Sequence, residues 1–526
     1  MSFSLPPLIA QMSRSEFYPH PVKSSIEVIQ THVSFVLLTG EYVYKIKKPV
    51  DFGFLDYSTL EKRRHFCHEE LRMNQRGAPG IYLEVVSITQ HDDRFALNGD
   101  GDIVEYALKM KQFPTNSLFV DLLDRGELTE TLMEQLGRSV ADYHATSPTN
   151  DYILKFGSIE QIRQAIDDNY RYTEPYIGRV QTQQQFDDTK AYTDRMFDRH
   201  RDWFESRVRQ QKIRECHGDL HLRNIALADN SHDKTLRERI LLFDCIEFNE
   251  PFRFVDVMYD VAFTVMDCEA RGRIDLGNAF LNTYLERTGD WDGLRVLPLY
   301  LSRQAYVRAK VTSFLLDDAA VSEAEKAKAA KTASEYYTLA WQYTRSRQGR
   351  ILMMSGLSGS GKSTTARSIS RRFGAVQFRS DAVRKHLAGV PLDERGSDDI
   401  YTPEMSDRTY DRLAEIGTIA ALQGWTVVLD AKSDRVQWRK FVLDRAQAAS
   451  IPVQILHCTA PIEVLRDRLD RRTGDIADAT ADLLASQQAK AEAFTEMETA
   501  LVLEIDTTQD LEMQLVSAGL TALSEL

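Results

Sequence analysis

Two hydrophobic periods alternate along the chain. Residues 26–48, IEVIQTHVSFVLLTGEYVYKIKK, form two β-rich runs around Thr39-Gly40-Glu41, which predicts a hairpin. In the second run, VYKIK, a period of two places Lys45 and Lys47 on one face. Residues 59–75 switch to a helical period, with Phe66, Cys67, Leu71 and Met73 on one side. Glu70 falls in the middle of that apolar arc, while Glu69 points outward. A carboxylate on a buried face needs a cation, and Lys45 on the preceding strand is the natural partner. The runs IYLEVVSIT, RFALN and IVEYALKM return to strands over 81–110, and Gln112-Phe113-Pro114 marks a hinge. From about 128 to the 340s the pattern is mostly helical; its charge-rich stretches read as solvated faces. Residues 1–25, with Pro6, Pro7, Pro19 and Pro21, predict a short helix and a leading loop.

A polar joint at 345–350 precedes the apolar run Ile351-Leu352-Met353-Met354, short enough for a buried strand. Gly356 to Ser363, GLSGSGKS, follows, and then the helical TTARSISRRF. The stretch fits G-x-x-x-x-G-K-[ST] in its required context of strand, glycine-rich turn and helix. Gly356, Gly359 and Gly361 let backbone come close to phosphate oxygens. The turn's N–H groups and the helix N-terminus face the anion. Lys362 adds a point charge for the β- and γ-phosphates, and the Ser363 hydroxyl suits Mg²⁺. Ser360 and Thr364 complete the expected phosphate-facing set.

Composition narrows the class. At ~150 residues per domain, this length suggests about three or four compact units. The expected divisions are 1–113, 114–345 and 346–526. A formal net charge of -13 argues against broad nucleic-acid coating. Five cysteines without C-x-x-C spacing read as reduced thiols. No apolar stretch approaches a membrane span and no secretory signal opens the chain, so the expected location is cytoplasmic. The oligomeric state is left open.

Within the helical region one loop stands out: Cys216-His217-Gly218-Asp219-Leu220-His221-Leu222-Arg223-Asn224. About twenty residues on, ILLFDCIEFN brings an apolar strand to Asp244. An aspartate can accept the proton of an attacking hydroxyl. An asparagine five residues later and an acid on the next strand can share Mg²⁺, as in kinase-type phosphoryl transfer. Taken singly, Asp219 and Asn224 each read better as caps of local backbone. The ordered set Lys45, Glu70, Asp219, Asn224 and Asp244 favours chemistry.

These residues resemble the aminoglycoside phosphotransferase and kinase-like superfamily over roughly 25–340. HGDLHLRN is similar to its catalytic loop and FDCIEF to its metal-binding strand. The resemblance implies a bilobal α+β fold with Lys45 on the nucleotide phosphates and Glu70 anchoring it. It also implies Asp219 as base, with Asn224 and Asp244 on magnesium. His217 would orient the loop, and Asp256 and Asp260, on a following helix, would be mainly structural. The turn expected to cover the phosphates, 30–34, has no glycine.

In the last part, AVQFRSDAVRKHL offers a short strand ending at Ser380-Asp381. Asp381 there can orient or deprotonate a hydroxyl, or cap a helix starting at Ala382. Arg379 and Arg384 could hold an anionic acceptor. A buried-type strand at 426–429 ends at Asp430, the expected acid for the Mg²⁺ hydration shell. Arg468 and Arg472 lie four apart on one helical face, suited to a lid or to a solvated surface. GLSGSGKST, RSDAVRK, VVLDA and RLDRR resemble the small P-loop kinases of the gluconate kinase, chloramphenicol phosphotransferase, polynucleotide kinase and zeta-toxin group, with an α/β/α fold on a parallel sheet. The order of the two parts resembles bacterial proteins that join a phosphotransferase-family part to an ATPase or kinase part.

The expectation is therefore two sites for ATP (or GTP) with Mg²⁺. Each would transfer phosphate to a small hydroxylated acceptor of sugar, antibiotic-like or nucleotide-sugar class. The rivals are a nucleotide-sensing first half and a nucleic-acid 5′-end kinase in the second; the acidic balance disfavours the latter.

Overall fold

The computed structural model describes residues 5–22, 25–228, 235, 239–471 and 484–517. The chain forms two compact units, residues 1–171 with 200–264 and residues 172–199 with 265–526. No helix among the described residues is long and apolar enough to cross a membrane. All five cysteines are free and buried.

The first unit is built on an antiparallel sheet of β1 (Glu27–Gln30), β2 (Ser34–Leu38), β3 (Tyr42–Lys47), β4 (Tyr82–His91), β5 (Arg94–Leu97) and β6 (Asp102–Lys111), in the order β1-β2-β3-β6-β4-β5. The hairpin expected at Thr39-Gly40-Glu41 forms; Gly40 supplies its positive φ of 95°. Tyr44 and Ile46 face one side, where they meet Ile9 and Met12 of the short helix Pro7–Met12. The helix Leu60–Gly77 packs on the sheet, started by Thr59, whose hydroxyl accepts from Lys62 N at 3.2 Å. Its buried stripe is Arg63, Cys67, Glu70, Met73, Asn74 and Gly77, a helical period with a carboxylate inside it. Gly77 is required: a Cβ there would stand 2.3 Å from Leu242 O.

Four short strands frame the loops of the candidate chemistry. β7 (Ile213–Glu215) pairs with β10 (Phe254–Asp256), and β8 (Ile225–Leu227) pairs with β9 (Ile240–Leu242). Residues 216–224 join β7 to β8, and Asp244 follows β9.

The second unit carries a parallel sheet of β11 (Arg350–Ser355), β12 (Val376–Arg379), β13 (Thr426–Asp430), β14 (Val453–Thr459) and β15 (Val502–Asp506), ordered β12-β13-β11-β14-β15. Leu352, Met354, Val428, Leu456 and Ile505 are buried, the near-continuous apolar pattern of strands covered on both faces. The polar joint at 345–350 lies inside this unit, because the helix Ile274–Thr288 is bonded to the P-loop part. Asn278 and Asn282 donate their amides to Ala375 O at 2.8 and 3.0 Å. Arg371 donates to Asn278 Oδ1 at 2.8 Å, and Gln377 N donates to Asn282 Oδ1 at 2.9 Å.

Candidate active sites

In the first unit, strand period and helix stripe converge on Glu70. Lys45 Nζ donates to Glu70 Oε1 at 2.7 Å and Lys47 Nζ to Oε2 at 2.6 Å. Lys45 also reaches Asp244 Oδ1 at 2.8 Å. Burial pushes Glu70 upward, but the two lysines outweigh it and hold its carboxyl below the ordinary range. Burial likewise opposes ionisation of Asp244, and Lys45 prevails there too. Asp244 has a positive φ of 60° at the very position expected to hold metal.

The loop after β7 is held from beneath by Asp260. Its carboxylate accepts from His217 N at 2.7 Å and Gly218 N at 2.9 Å, and lies 3.2 Å from His144 Nε2. Gly218 has φ 84°, and a Cβ would stand 2.6 Å from Phe252 O. His217 Nε2 is 2.8 Å from Phe243 O, and its Nδ1 is 3.3 Å from Asp219 N. A carbonyl only accepts and an amide N–H only donates, so Nε2 carries the proton. Asn224 Nδ2 donates to Asp219 O at 2.9 Å and to Asp219 Oδ2 at 3.0 Å. Asp219 keeps 35% of its side chain exposed, within reach of an incoming hydroxyl. Asp244 and Asn224 offer the hard oxygen donors that Mg²⁺ prefers.

Sequence reading missed the second half of the Glu70 cluster. Lys47 also pairs with Glu247, which accepts from Tyr57 OH at 2.5 Å. Burial holds Glu247 above the ordinary range despite Lys47. The available signal was the shared face of Lys45 and Lys47; the second acid lies two hundred residues away. The glycine-free turn is also resolved. Thr31 Oγ1 accepts from Val33 N at 3.3 Å and Ser34 N at 2.9 Å, so a side chain occupies N–H groups of that turn.

In the second unit, β11 leads into the phosphate loop and the helix Lys362–Phe373 leaves it. Gly356 (φ 133°) leaves no room for a Cβ, which would meet Cys458 O at 2.4 Å. Lys362 Nζ donates to Leu357 O at 2.6 Å, and burial lowers its pKa. Ser363 Oγ donates to Asp430 Oδ1 at 3.2 Å, and Gln377 Nε2 to Asp430 Oδ2 at 3.0 Å. Ser360 Oγ is buried without a hydrogen-bond partner. The close backbone of this loop fits a triphosphate, and Ser363 with Asp430 fits a hydrated Mg²⁺.

One cavity of about 1430 Å³ connects these groups. Gly359, Lys362, Thr364 and Asp430 line it together with Asp381 and Arg468. Asp381 sits in the first turn of the helix Ser380–Ala388, whose cap position is Arg379. The helix thus begins two residues before Ala382, and Asp381 is not its cap. Arg379 lies between Glu286 (3.6 Å) and Asp430 (3.7 Å). Arg468 donates to Thr507 Oγ1 at 2.8 Å and Thr507 O at 3.0 Å, which fastens it beside the phosphate loop. Arg472 lies outside the described residues. Thr507 and Gln487, which accepts from Ser358 N at 3.1 Å, carry no motif and were not legible.

A protein-family model described as an AAA domain matches residues 351–494. The match opens on β11. An uncharacterized protein of Mycobacterium tuberculosis is 27% identical over 490 residues, 91% of this chain and 94% of that protein. Among solved structures, the chain is similar to an unliganded sugar kinase from a Janibacter species, with 25% identity and TM-score 0.25 over 32% of this chain and 92% of that one. It is also similar to the GDP complex of wild-type aminoglycoside 2'-phosphotransferase-IIIa, with 12% identity and TM-score 0.36 over 63% and 98%. The two-part organisation stands on the topology itself: a part built on an antiparallel sheet is followed by a P-loop part on a parallel sheet.

Proposed function

We propose that the protein is an ATP-dependent phosphotransferase with two nucleotide sites, each acting on a small hydroxylated acceptor. The observation that carries this reading is the shared cavity of the second unit. Phosphate loop, Lys362, the Ser363–Asp430 pair and Asp381 all face one space roomy enough for a nucleotide and an acceptor. Lys362 binds the phosphates. Asp381 accepts the acceptor's proton, and Arg468 adds positive charge beside the loop. Bound magnesium would neutralise charge on the phosphate oxygens, held by Ser363 and Asp430 here and by Asn224 and Asp244 in the first unit. In the first unit Lys45, aimed by Glu70, grips the phosphates and Asp219 is the base. GTP is the alternative nucleotide.

The test is acceptor-dependent ADP release from the full chain, from Asp219→Ala and from Asp381→Ala. Each variant should lose one acceptor activity and keep the other; retention of both by both variants refutes the assignments. A second reading, that the first unit senses nucleotide without transferring phosphate, is favoured by one observation: Thr31 occupies N–H groups that a glycine-rich turn would offer to phosphate. Nucleotide binding by that unit with no turnover across a broad hydroxyl panel would establish it.

A further inference from the structure

The wall of the second cavity formed by the helix Ser380–Ala388 and the loop after β13 is specific about its ligand. Asp381 and Arg384 are three apart on that helix, hence on one face. Arg384 is only 8% exposed. Its Nη1 donates to Ile400 O at 3.0 Å and Ser406 Oγ at 3.2 Å, and its guanidinium lies 5.1 Å from the Tyr401 ring centroid. These contacts fix the arm, yet its Nε has no hydrogen-bond partner. None of those contacts is a carboxylate, and a buried guanidinium N–H left without an acceptor is costly until an anion supplies one.

The loop after β13 supplies the complementary defect. Asp434 is 6% exposed. Its Oδ2 takes Lys432 Nζ at 2.9 Å, while Oδ1 is buried without a donor. Tyr410 ties the two walls together. Its hydroxyl lies 3.4 Å from Ser433 N, and besides burial it feels Asp434, Arg384 and Asp381 at once. Arg395 and Arg435 line the same cavity.

The geometry points to a hydroxylated anion as the acceptor of the second site. Its anionic group sits on Arg384, one hydroxyl donates to Asp434 Oδ1, and another hydroxyl faces Asp381. This rests on the phosphotransferase reading of that unit and narrows it. Asp381 takes the hydroxyl proton, the hydroxyl oxygen bonds to the γ-phosphorus, and the bond from that phosphorus to the β–γ bridging oxygen breaks. ADP leaves with the electron pair, so ATP and alcohol become ADP, phosphate ester and one proton. A polycationic amino sugar would set ammonium groups against Arg384, which disfavours it at this wall.

The experiment uses the full chain carrying Asp219→Asn, so that ADP release reports the second site. Gluconate is compared with sorbitol, glucose 6-phosphate with glucose, and kanamycin serves as the cationic probe; ATP binding is followed by calorimetry. One charge-assisted hydrogen bond corresponds to about 10- to 100-fold in kcat/KM, so an anionic member should lead its neutral partner by that factor. The leading pair tells a carboxylate from a phosphate. Arg384→Gln should raise KM for the anion by a similar factor and leave ATP affinity unchanged; Arg384→Lys, which keeps charge but loses Nε, should fall between. Equal rates within both pairs, preference for kanamycin, or an unchanged ratio in Arg384→Gln overturns the proposal while leaving phosphotransfer intact. ATP binding with no turnover of any acceptor overturns the underlying reading as well.

Discussion

The Ser363 hydroxyl donates to Asp430 across 3.2 Å, joining the first turn of the P-loop helix to the end of β13. With Gln377 on the other oxygen, the carboxylate is oriented from two sides. Asp430→Asn keeps the shape and removes the charge that would face a hydrated cation. Turnover at the second site should fall roughly 10²- to 10³-fold, the scale for losing one electrostatic group in an active site. Magnesium titrations of ADP release in the Asp219→Asn background check this, with an unchanged melting temperature as the control.

Glu70 is fully buried and answers two lysines. Glu70→Gln leaves Lys47, itself 2% exposed, with Glu247 as its remaining anion. Breaking a buried ion pair by removing one partner costs about 3–5 kcal/mol. Lys47→Met should cost less, since Glu70 keeps Lys45 and Glu247 keeps Tyr57. Urea midpoints of the two variants should fall in that order, and the reverse order would refute the shared-anchor account.

Gly356 and Gly389 both have positive φ, yet their surroundings differ. A Cβ on Gly356 meets Cys458 O at 2.4 Å, whereas one on Gly389 meets nothing within 4 Å. Gly389→Ala should therefore cost only the left-handed penalty of about 1–2 kcal/mol. Gly356→Ala should cost more and also weaken nucleotide binding at the second site. Thermal melts with and without ATP separate the two effects.

His217 is held as a neutral ring. Its Nε2–H is committed to Phe243 O and its Nδ1 faces a donor, so a second proton has no acceptor. Burial lowers its pKa despite the pull of Asp260 and Asp219. The unfolded ring titrates near ~6.5. Between that value and the lower folded one, the unfolded chain binds the extra proton, so stability falls as pH drops through this window and is unaffected above it. Urea midpoints should be lower at about pH 5.5 than at about pH 7.5, and His217→Gln should shrink the difference.

The parts of the sites that were legible are those where a short-range period carries the information. Lys45 and Glu70 were paired from a strand alternation and a helical arc twenty-five residues apart, and the pair is present at 2.7 Å. The phosphate loop announced itself through three glycines whose positive φ values the fold requires. Asp430 was placed by the end of an apolar run that is indeed β13. What stayed hidden depends on tertiary approach. Glu247 reaches Lys47 from a distant loop, Thr507 meets Arg468 only because β15 lies beside β14, and Asn278 finds Ala375 O through helix packing. Asp381 was read as a possible cap because helix starts are uncertain by a residue or two, and the observed start at Ser380 removes that role.

The amides of Asn278 and Asn282 on Ala375 O have an evolutionary corollary. A lineage in which the first centre decayed could not simply delete the stretch between the two centres. Its loss would remove the donors that clamp the start of β12, so the helix Ile274–Thr288 should be retained even where the first site is not.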